Sequence, residues 1–594
     1  MVCAVPAFAQ QTGSINGKVT ASDGSPLPGV TVEARSDVLP GPRVTVTNSR
    51  GEYRFPTLPP GAYTVKFDLS GMKGATRNAE VQLDKDTPLD VSLGMQAATE
   101  SVTVTAQASL VDKNTATISS GVSTKELQAL PKAQEYRDLQ KYIPGVQYTE
   151  DTVRGPSSGG SGQDNVYLFD GANVSLPLFG NLSAEPASHD IAQVTVINGG
   201  ARAVDFNRSG GFLIDSVTKS GTSEYHGEAS YQFQTKGMSA SLNSGILSRY
   251  EQDRNWWNAS LGGPILQDHL FFYGSYYRPE QQRDNQANLY GPLPGYDSTR
   301  NEYFGKLTIT PIQPLLFNLS YRDSKRVDTS ALFGAADAPT TGTGNQSKLR
   351  IGTAEGSWVI NTKSYATMKY SHFENLTEGV PDNISSAVPS FTPGTQLDVA
   401  NLDKLGFFTV PLPVAGNAAY NAFVQPIINK YGYTLNGQQV GGGNVGFGSQ
   451  FDQDNFFRDQ AQIGYNYILG DNVTHDLHAG FQYFSDRETL IRSSNGWGLL
   501  SVPGGRLAPI PGTGKSAYYT ATFQQQTTGV AAPIKSEYSS MSFEANDQIR
   551  FMNVTVNLGL IGSNDTLYGQ GLREDSSTLS GFVSAPGNKY KMYT

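Results

Sequence analysis

Long stretches in the second half of this chain alternate strictly between apolar and polar residues. From Tyr225 onward Ala229, Tyr231 and Phe233 fall on one side, and Glu228, Ser230, Gln232 and Gln234 on the other. Successive side chains of an extended strand point to opposite faces, so the pattern predicts a strand with one apolar face. It recurs at Tyr303, Gly305, Leu307 and Ile309, which alternate with Phe304, Lys306, Thr308 and Thr310. The chain then turns through Pro311, Ile312, Gln313 and Pro314. It returns with Leu315, Phe317, Leu319 and Tyr321 against Asn318, Ser320 and Arg322. Ala461, Ile463, Tyr465 and Tyr467 are expected to pair with Leu477, Ala479, Phe481 and Tyr483 across a turn at 470–472, and Val554, Val556, Leu558 and Leu560 form a late example. Such faces suit a soluble sandwich or the lipid-facing wall of a transmembrane barrel, and alternation alone does not choose. The polar stretches between hairpins, such as 375–400 and 424–452, are hard to place inside a compact soluble domain. On a barrel they are extracellular loops.

The first third reads differently. Residues 14–95 predict a small β-sandwich: strands at 14–20, 30–34, 47–55 and 58–65, with turn chemistry at 23–29 and a Pro-Pro-Gly corner at 59–61. Residues 96–110 form a linker of small residues carrying the β-prone run Ser101, Val102, Thr103, Val104 and Thr105. That run reads equally as plain linker or as a last strand of the preceding domain. Residues 111–219 mix short helical pieces at 124–128 and 134–142, a Gly/Ser-rich loop at 153–162, and strands at 167–170, 194–197 and 212–218. Closely spaced glycines surround Arg154, Arg202 and Arg208.

Composition then narrows the class. Charged residues are 16% of the 594, below the roughly 25% of soluble domains, and the mean hydropathy is −0.36. No apolar run of about 18 residues exists to make a membrane helix, but an alternating barrel strand stays polar on average. The formal net charge of −9 leaves no basic stripe for a nucleic acid. The one cysteine, Cys3, lies in residues 1–10, which end in an Ala7-x-Ala9 site and read as the remnant of an export signal. No nucleophile–base or paired-carboxylate arrangement suggests an enzyme, no metal or cofactor site is expected, and no histidine precedes His189. The sequence PGTGKS at 511–516 lacks the first glycine of a P-loop, since Pro509 stands there. His475 and His478, three apart on a strand, face opposite sides and cannot share a metal.

Three motifs carry a family resemblance: RSGGFLIDSVTKSGTSEYHG at 208–227, YLFDGAN at 167–173 and GGPILQDHLFFYGSY at 262–276. Together they resemble TonB-dependent outer-membrane transporters of the Oar-like branch, and residues 14–95 resemble a carboxypeptidase-regulatory-like, transthyretin-like sandwich. The resemblance implies a mainly β chain: a small sandwich at 14–95, a linker at 96–110, an α+β plug at 111–219, and an antiparallel transmembrane β-barrel at 223–594. The family barrel has 22 strands. The 372 residues after position 222 offer about twelve, so a sequence truncated within its barrel is expected. The resemblance makes Glu100, Ser101, Val102, Thr103, Val104, Thr105 and Ala106 a TonB box, Asp170 and Gly171 a plug motif, and Arg154, Arg202 and Arg208 plug contacts to an acidic inner wall. The implied setting is a Gram-negative outer membrane with the sandwich in the periplasm. The implied partners are TonB with its inner-membrane energising proteins, lipid, and an extracellular substrate such as a siderophore, oligosaccharide or peptide. Two further functions fit these residues, an adhesion or glycan-binding module and a component for protein export or surface display. Neither would draw on the proton-motive force.

Overall fold

The computed structural model describes residues 12–83 and 85–95, segments within 118–199, residues 211–238, 252–384, 406–470 and 473–494, segments within 496–522, and residues 534–551, 554–569 and 589–593. The N-terminal sandwich comprises β1 (Gly13–Ala21), β2 (Thr31–Arg35), β3 (Arg43–Val46), β4 (Glu52–Leu58), β5 (Gly61–Asp68), β6 (Ala75–Val81), β7 (Asp86–Pro88) and β8 (Val91–Leu93). One sheet runs β3-β2-β5-β6; in the other, β1 pairs with β4, β7 and β8. Inward residues on alternate positions, among them Val19, Val32, Val65 and Phe67, make one closed apolar core. Of the strand expected at 47–55, residues 52–55 begin β4, while 48–51 form a turn closed by Asn48, whose Oδ1 accepts the Arg50 and Glu52 N–H groups. Two strands, β3 and β4, flank that turn.

The plug sheet holds β9 (Ile118–Ser123), β10 (Val166–Phe169), β11 (Ala172–Asn173), β12 (Ile191–Gly199) and β13 (Leu213–Thr218), in the order β11-β10-β13-β12-β9. Strands β10 and β11 form a two-residue hairpin whose corner is Asp170 and Gly171, both at positive φ (44° and 67°). Such a turn matches the natural twist of paired strands and favours Asp-Gly.

Around the plug runs a twelve-stranded antiparallel wall. It begins with β14 (His226–Gln234), β15 (Gln252–Leu266), β16 (Leu270–Arg283), β17 (Tyr296–Ile309), β18 (Leu315–Leu332), β19 (Thr343–Asn361) and β20 (Ser364–Pro381). A long excursion follows before the wall resumes. It contains β21 (Phe407–Thr409), helix α1 (Ala418–Tyr431), β22 (Tyr433–Leu435), β23 (Gln438–Val440) and β24 (Asn444–Val445). The wall continues with β25 (Gln450–Leu469) and β26 (Val473–Ser494). A second excursion carries β27 (Gly496–Ser501), β28 (Ala508–Pro509), β29 (Ser516–Ala517) and β30 (Thr520–Thr522), and β31 (Ile534–Phe551), β32 (Val554–Gly569) and β33 (Lys589–Tyr593) complete the described wall. The expected hairpin register holds: Ala461 faces Tyr483 and Tyr467 faces Leu477.

The wall is apolar outside and polar inside. Tyr303 and Tyr321 are more than half exposed, whereas the inward Glu302, Lys306 and Arg322 are buried. A soluble sandwich would do the reverse.

Two stretches expected as polar loops are partly ordered elements. Residues 375–381 continue β20 beyond the apolar belt, still paired to both neighbours. Residues 424–431 are the second half of α1. That helix is capped by Asn417, whose side chain accepts the Tyr420 N–H, and it buries Tyr420, Val424, Ile427, Ile428 and Tyr431 along one stripe. The stripe packs on Phe408, Val410 and Val445, so these connections carry a small apolar core of their own. A spacing of i, i+4, i+7, i+8, i+11 in a glycine-rich neighbourhood is easily passed over as a loop.

Candidate functional site

Charge concentrates where the plug meets the inner wall. At one contact the Asp170 carboxylate accepts the Thr218 N–H (2.9 Å) and hydroxyl (2.6 Å), and Lys306 of β17 donates to it at 3.2 Å. Lys306 also reaches the Thr218 carbonyl and Oγ1. The hairpin corner that forces Asp170 into a left-handed conformation therefore also aims its carboxylate at the wall. Beside it, a Cβ at Gly171 would meet the end of the Lys369 side chain of β20, which would have to move. Burial alone would raise the Asp170 carboxyl. Lys306 and the two Thr218 bonds outweigh it and hold the group below the ordinary carboxylate range.

A second contact centres on Arg322 of β18. Its guanidinium is shared between Asp190 of the plug, at 3.2 Å, and Glu302 of β17. Glu302 in turn accepts the Ala187 N–H of the plug at 3.1 Å, and the Tyr273 hydroxyl donates to Asp190 at 3.2 Å. Arg322 also lies over the Phe304 ring of the wall and the Phe169 ring of the plug. Asp190 is likewise held low. Burial works against the charge, but the adjoining His189, Arg322 and Ser275 together prevail.

At a third contact Arg458 of β25 forms a bidentate pair with Asp486 of β26 (2.7 and 2.8 Å). Its remaining donor goes to the plug carbonyls of Asn173 (3.1 Å) and Ser175 (2.8 Å). A fixed guanidinium fork suits this double duty. The three contacts together can hold a folded insert without a covalent bond, and each can be exchanged for water. Among the described residues no group of three His, Cys, Asp or Glu side chains could hold a metal. His475 and His478 hydrogen-bond separately, to Asp547 and to Asn466 and Glu544.

Residues 217–558, more than half the chain, match the family described as outer membrane beta barrel domain. The chain belongs to the outer membrane β-barrel family. The apolar outer face of its wall is therefore lipid-facing, and the chain is a component of the Gram-negative outer membrane. Residues 14–96 match the carboxypeptidase regulatory-like domain. The chain is similar to the TonB-dependent transporter Oar of Myxococcus xanthus, 29% identical over 288 residues, which is 46% of this chain and 27% of that protein. In fold it is similar to the outer membrane transporter YddB from Escherichia coli (TM-score 0.52, 12% identity, 81% of this chain and 58% of that one). It is also similar to the ferric citrate transporter FecA in its unliganded form (TM-score 0.50, 12% identity, 81% and 59%). The chain thus spans between about a quarter and three fifths of the length of these relatives.

The short turns of this barrel lie at one end, near residues 267–269, 310–314 and 362–363, and the long excursions at the other. Short turns are periplasmic and long loops extracellular in outer-membrane barrels. The sandwich docks at the short-turn end. Arg54 of β4 pairs with Asp476 of β26 at 2.8 Å and lies 3.7 Å from Asp86, which pairs with Arg550 of β31 at 3.2 Å. The Leu83 N–H reaches the plug itself, donating to Gln193 Oε1 at 3.2 Å.

Of the residues singled out by sequence, Asp170 and Gly171 fall at the heart of the site. Glu100, Ser101, Val102, Thr103, Val104, Thr105, Ala106, Arg154, Arg202 and Arg208 lie outside the described residues, as do residues 1–10, 96–110, 124–128 and 511–515. In the contacts to Asp170 and Asp190 the plug supplies the carboxylate and the wall the cation. Asp190, Glu302, Lys306, Arg322 and Arg458 were not anticipated as site residues. For the last four a signal exists: a charged residue in mid-strand, on the polar side of a strand whose other side is apolar.

Proposed function

We propose that this chain is the outer-membrane receptor of a TonB-dependent uptake system, carrying a scarce or large substrate inward past a plug that TonB displaces. The observation that supports it best is the manner in which the plug is held. A five-stranded sheet sits inside an outer-membrane wall through buried, exchangeable ion pairs, a seating suited to an insert that must move and return. The similarity to a TonB-dependent transporter of Myxococcus xanthus points the same way. In this reading TonB captures Glu100, Ser101, Val102, Thr103, Val104, Thr105 and Ala106 by strand addition, which reads main-chain donors and acceptors. The substrate belongs to the siderophores, oligosaccharides or peptides.

The test begins by deleting the gene and comparing growth on ferric siderophores, oligosaccharides and peptides. The substrate whose use is lost is then followed for uptake and surface binding in the same cells. Val104→Pro removes a donor N–H needed for the ladder and should abolish uptake while leaving surface binding intact. Thr103→Ala should be mild, and an uncoupler should mimic Val104→Pro. Uptake that survives both Val104→Pro and an uncoupler would favour adhesion or export instead.

A further inference from the structure

Above the plug, in the extracellular half of the barrel, β15 to β20 enclose a cavity of about 410 Å³ that the plug latch does not use. Its lining includes Arg254, Trp256, Arg300, Arg326, Asn345 and Asn375. This chain has a formal net charge of −9, yet guanidiniums outnumber carboxylates here. Both lining carboxylates are already engaged, Glu280 by Arg278 at 2.7 Å and Asp328 by Arg326 at 2.8 Å. Arg254 donates to Gln252 at 3.3 Å, but its buried Nε finds no partner among the described residues. Arg300 stacks over Tyr277, with its Nε 3.7 Å from Glu302 Oε2.

The floor of the cavity belongs to the plug contact. Trp256 and Tyr277 pack on Ala187 of the plug, and Leu349 joins the core that the plug shares with the wall. One strand, β16, separates Arg254 on β15 from Arg300 on β17. Through β16, Arg254 is level with Ser298, two residues from Arg300, so the backbones of the two arginines are about 12 Å apart. A single carboxylate cannot fill both guanidinium forks, whereas two carboxylates on one small ligand can. The amides of Asn345 and Asn375 supply neutral donors beside them.

We propose that this cavity binds a small polycarboxylate between Arg254 and Arg300, and that its occupancy weakens the plug latch through Glu302. This rests on the uptake reading only for its consequence; the binding itself does not. The linkage follows from charge. Arg322 is divided between Asp190 of the plug and Glu302 of the wall, and Arg300 is the next cation beside Glu302. A ligand that engages Arg300 withdraws it from Glu302. Glu302 then competes more strongly for Arg322, at the expense of Asp190. Linkage is reciprocal, so loosening Asp190 must tighten the ligand by the same factor.

The experiment uses the complete chain in detergent, with no TonB present, and follows Trp256 fluorescence during titration with tricarballylate. Acetate, a neutral trisaccharide and a sulfated disaccharide serve as comparisons. Tricarballylate should bind and the other three should not. The double variant Arg254→Gln/Arg300→Gln should lose at least about tenfold in affinity, each lost charged contact removing a kcal/mol or more. Lys325→Gln, on the outer face, should change nothing. Asp190→Asn should tighten tricarballylate about fivefold, and Glu302→Gln should erase that gain. Each variant is first checked for the heat-modifiable gel shift of a folded barrel. Equal binding of the neutral sugar, preference for the sulfated one, or an unaffected double variant overturns the site. Binding without the Asp190 effect overturns the linkage. Failure of uptake with normal tricarballylate binding counts against the transport reading alone.

Discussion

The sandwich and the plug are neighbours of similar architecture, yet they are completed in different ways. The sandwich core is made entirely from its own residues, running from Ile15 to Leu93. The plug core is not. Tyr136, Tyr167, Phe169 and Phe212 of the plug share one cluster with Leu349, Ile351, Phe373 and Phe456 of the wall. One domain carries its own stability, while the other borrows apolar surface and neutralising charge from the barrel around it. In the proposed uptake, the domain that leaves its seat is the borrower.

That difference can be broken from either side. The largest effect is expected from Phe67→Ala. Phe67 is fully buried, with its ring 5.4 Å from Tyr53, and its loss should cost about 3–5 kcal/mol. A domain of about 80 residues has only roughly 4–12 kcal/mol to lose. The sandwich should become protease-sensitive while the heat-modifiable gel shift of the barrel persists. If the barrel is lost too, the sandwich is no independent unit.

Arg322→Met attacks the borrower. It strands Asp190 and Glu302 in the lumen, and removing one member of a buried pair costs about 3 kcal/mol or more. Entry of a large hydrophilic antibiotic into whole cells should rise, with the sandwich still folded. An unchanged antibiotic sensitivity would mean that apolar packing and the Lys306 and Arg458 contacts seat the plug without Arg322.

Arg54→Gln separates the two domains without unfolding either. Its pair with Asp476 should be worth about 1.5 kcal/mol, so proteolytic release of the sandwich should quicken about tenfold. Release at the parental rate would show that the Leu83–Gln193 and Asp86–Arg550 contacts suffice.

The smallest effect is expected from mild acid. Asp170 and Asp190 both have carboxyls held below the ordinary value of 3.8. Their contribution is therefore complete above that value and is lost only as the pH falls through their lower folded pKa values. Antibiotic exclusion should be the same at pH 5 and pH 7. A plug that loosens at pH 5 would point to other titrating groups.

Much of this architecture is legible in the sequence, for a reason that individual residues make plain. Barrel strands have a period of two, and Tyr303 with Leu307, or Leu319 with Tyr321, shows one face while Lys306 and Arg322 mark the other. Register follows from short turns such as 362–363. The Asp-Gly dipeptide at 170–171 is a hairpin signal by itself. Nothing local reveals that its carboxylate will meet Lys306, 136 positions later. The Asp190–Arg322 pair has the same difficulty, since such partnerships depend on which strand faces the plug. Helix α1 was obscured for another reason: its apolar stripe is short and the helix contains Pro426.

The order of the plug sheet bears on how a pulling force would travel. Strand β9, the described plug strand nearest in sequence to the linker, is also an edge strand, bonded among the described residues to β12 alone. Tension applied from the N-terminal side would reach β9 first and could strip its rungs from β12 in turn, as a zipper opens, before loading β13 or β10. The strands beside the Asp170 anchor would be spared at the outset, because Asp170 and Thr218 lie at the ends of the parallel pair β10 and β13. A fold of this order yields at its margin under small loads and resists at its centre. Mechanical failure would then be graded, with a partly peeled plug still fastened to the wall by Lys306 and Arg458.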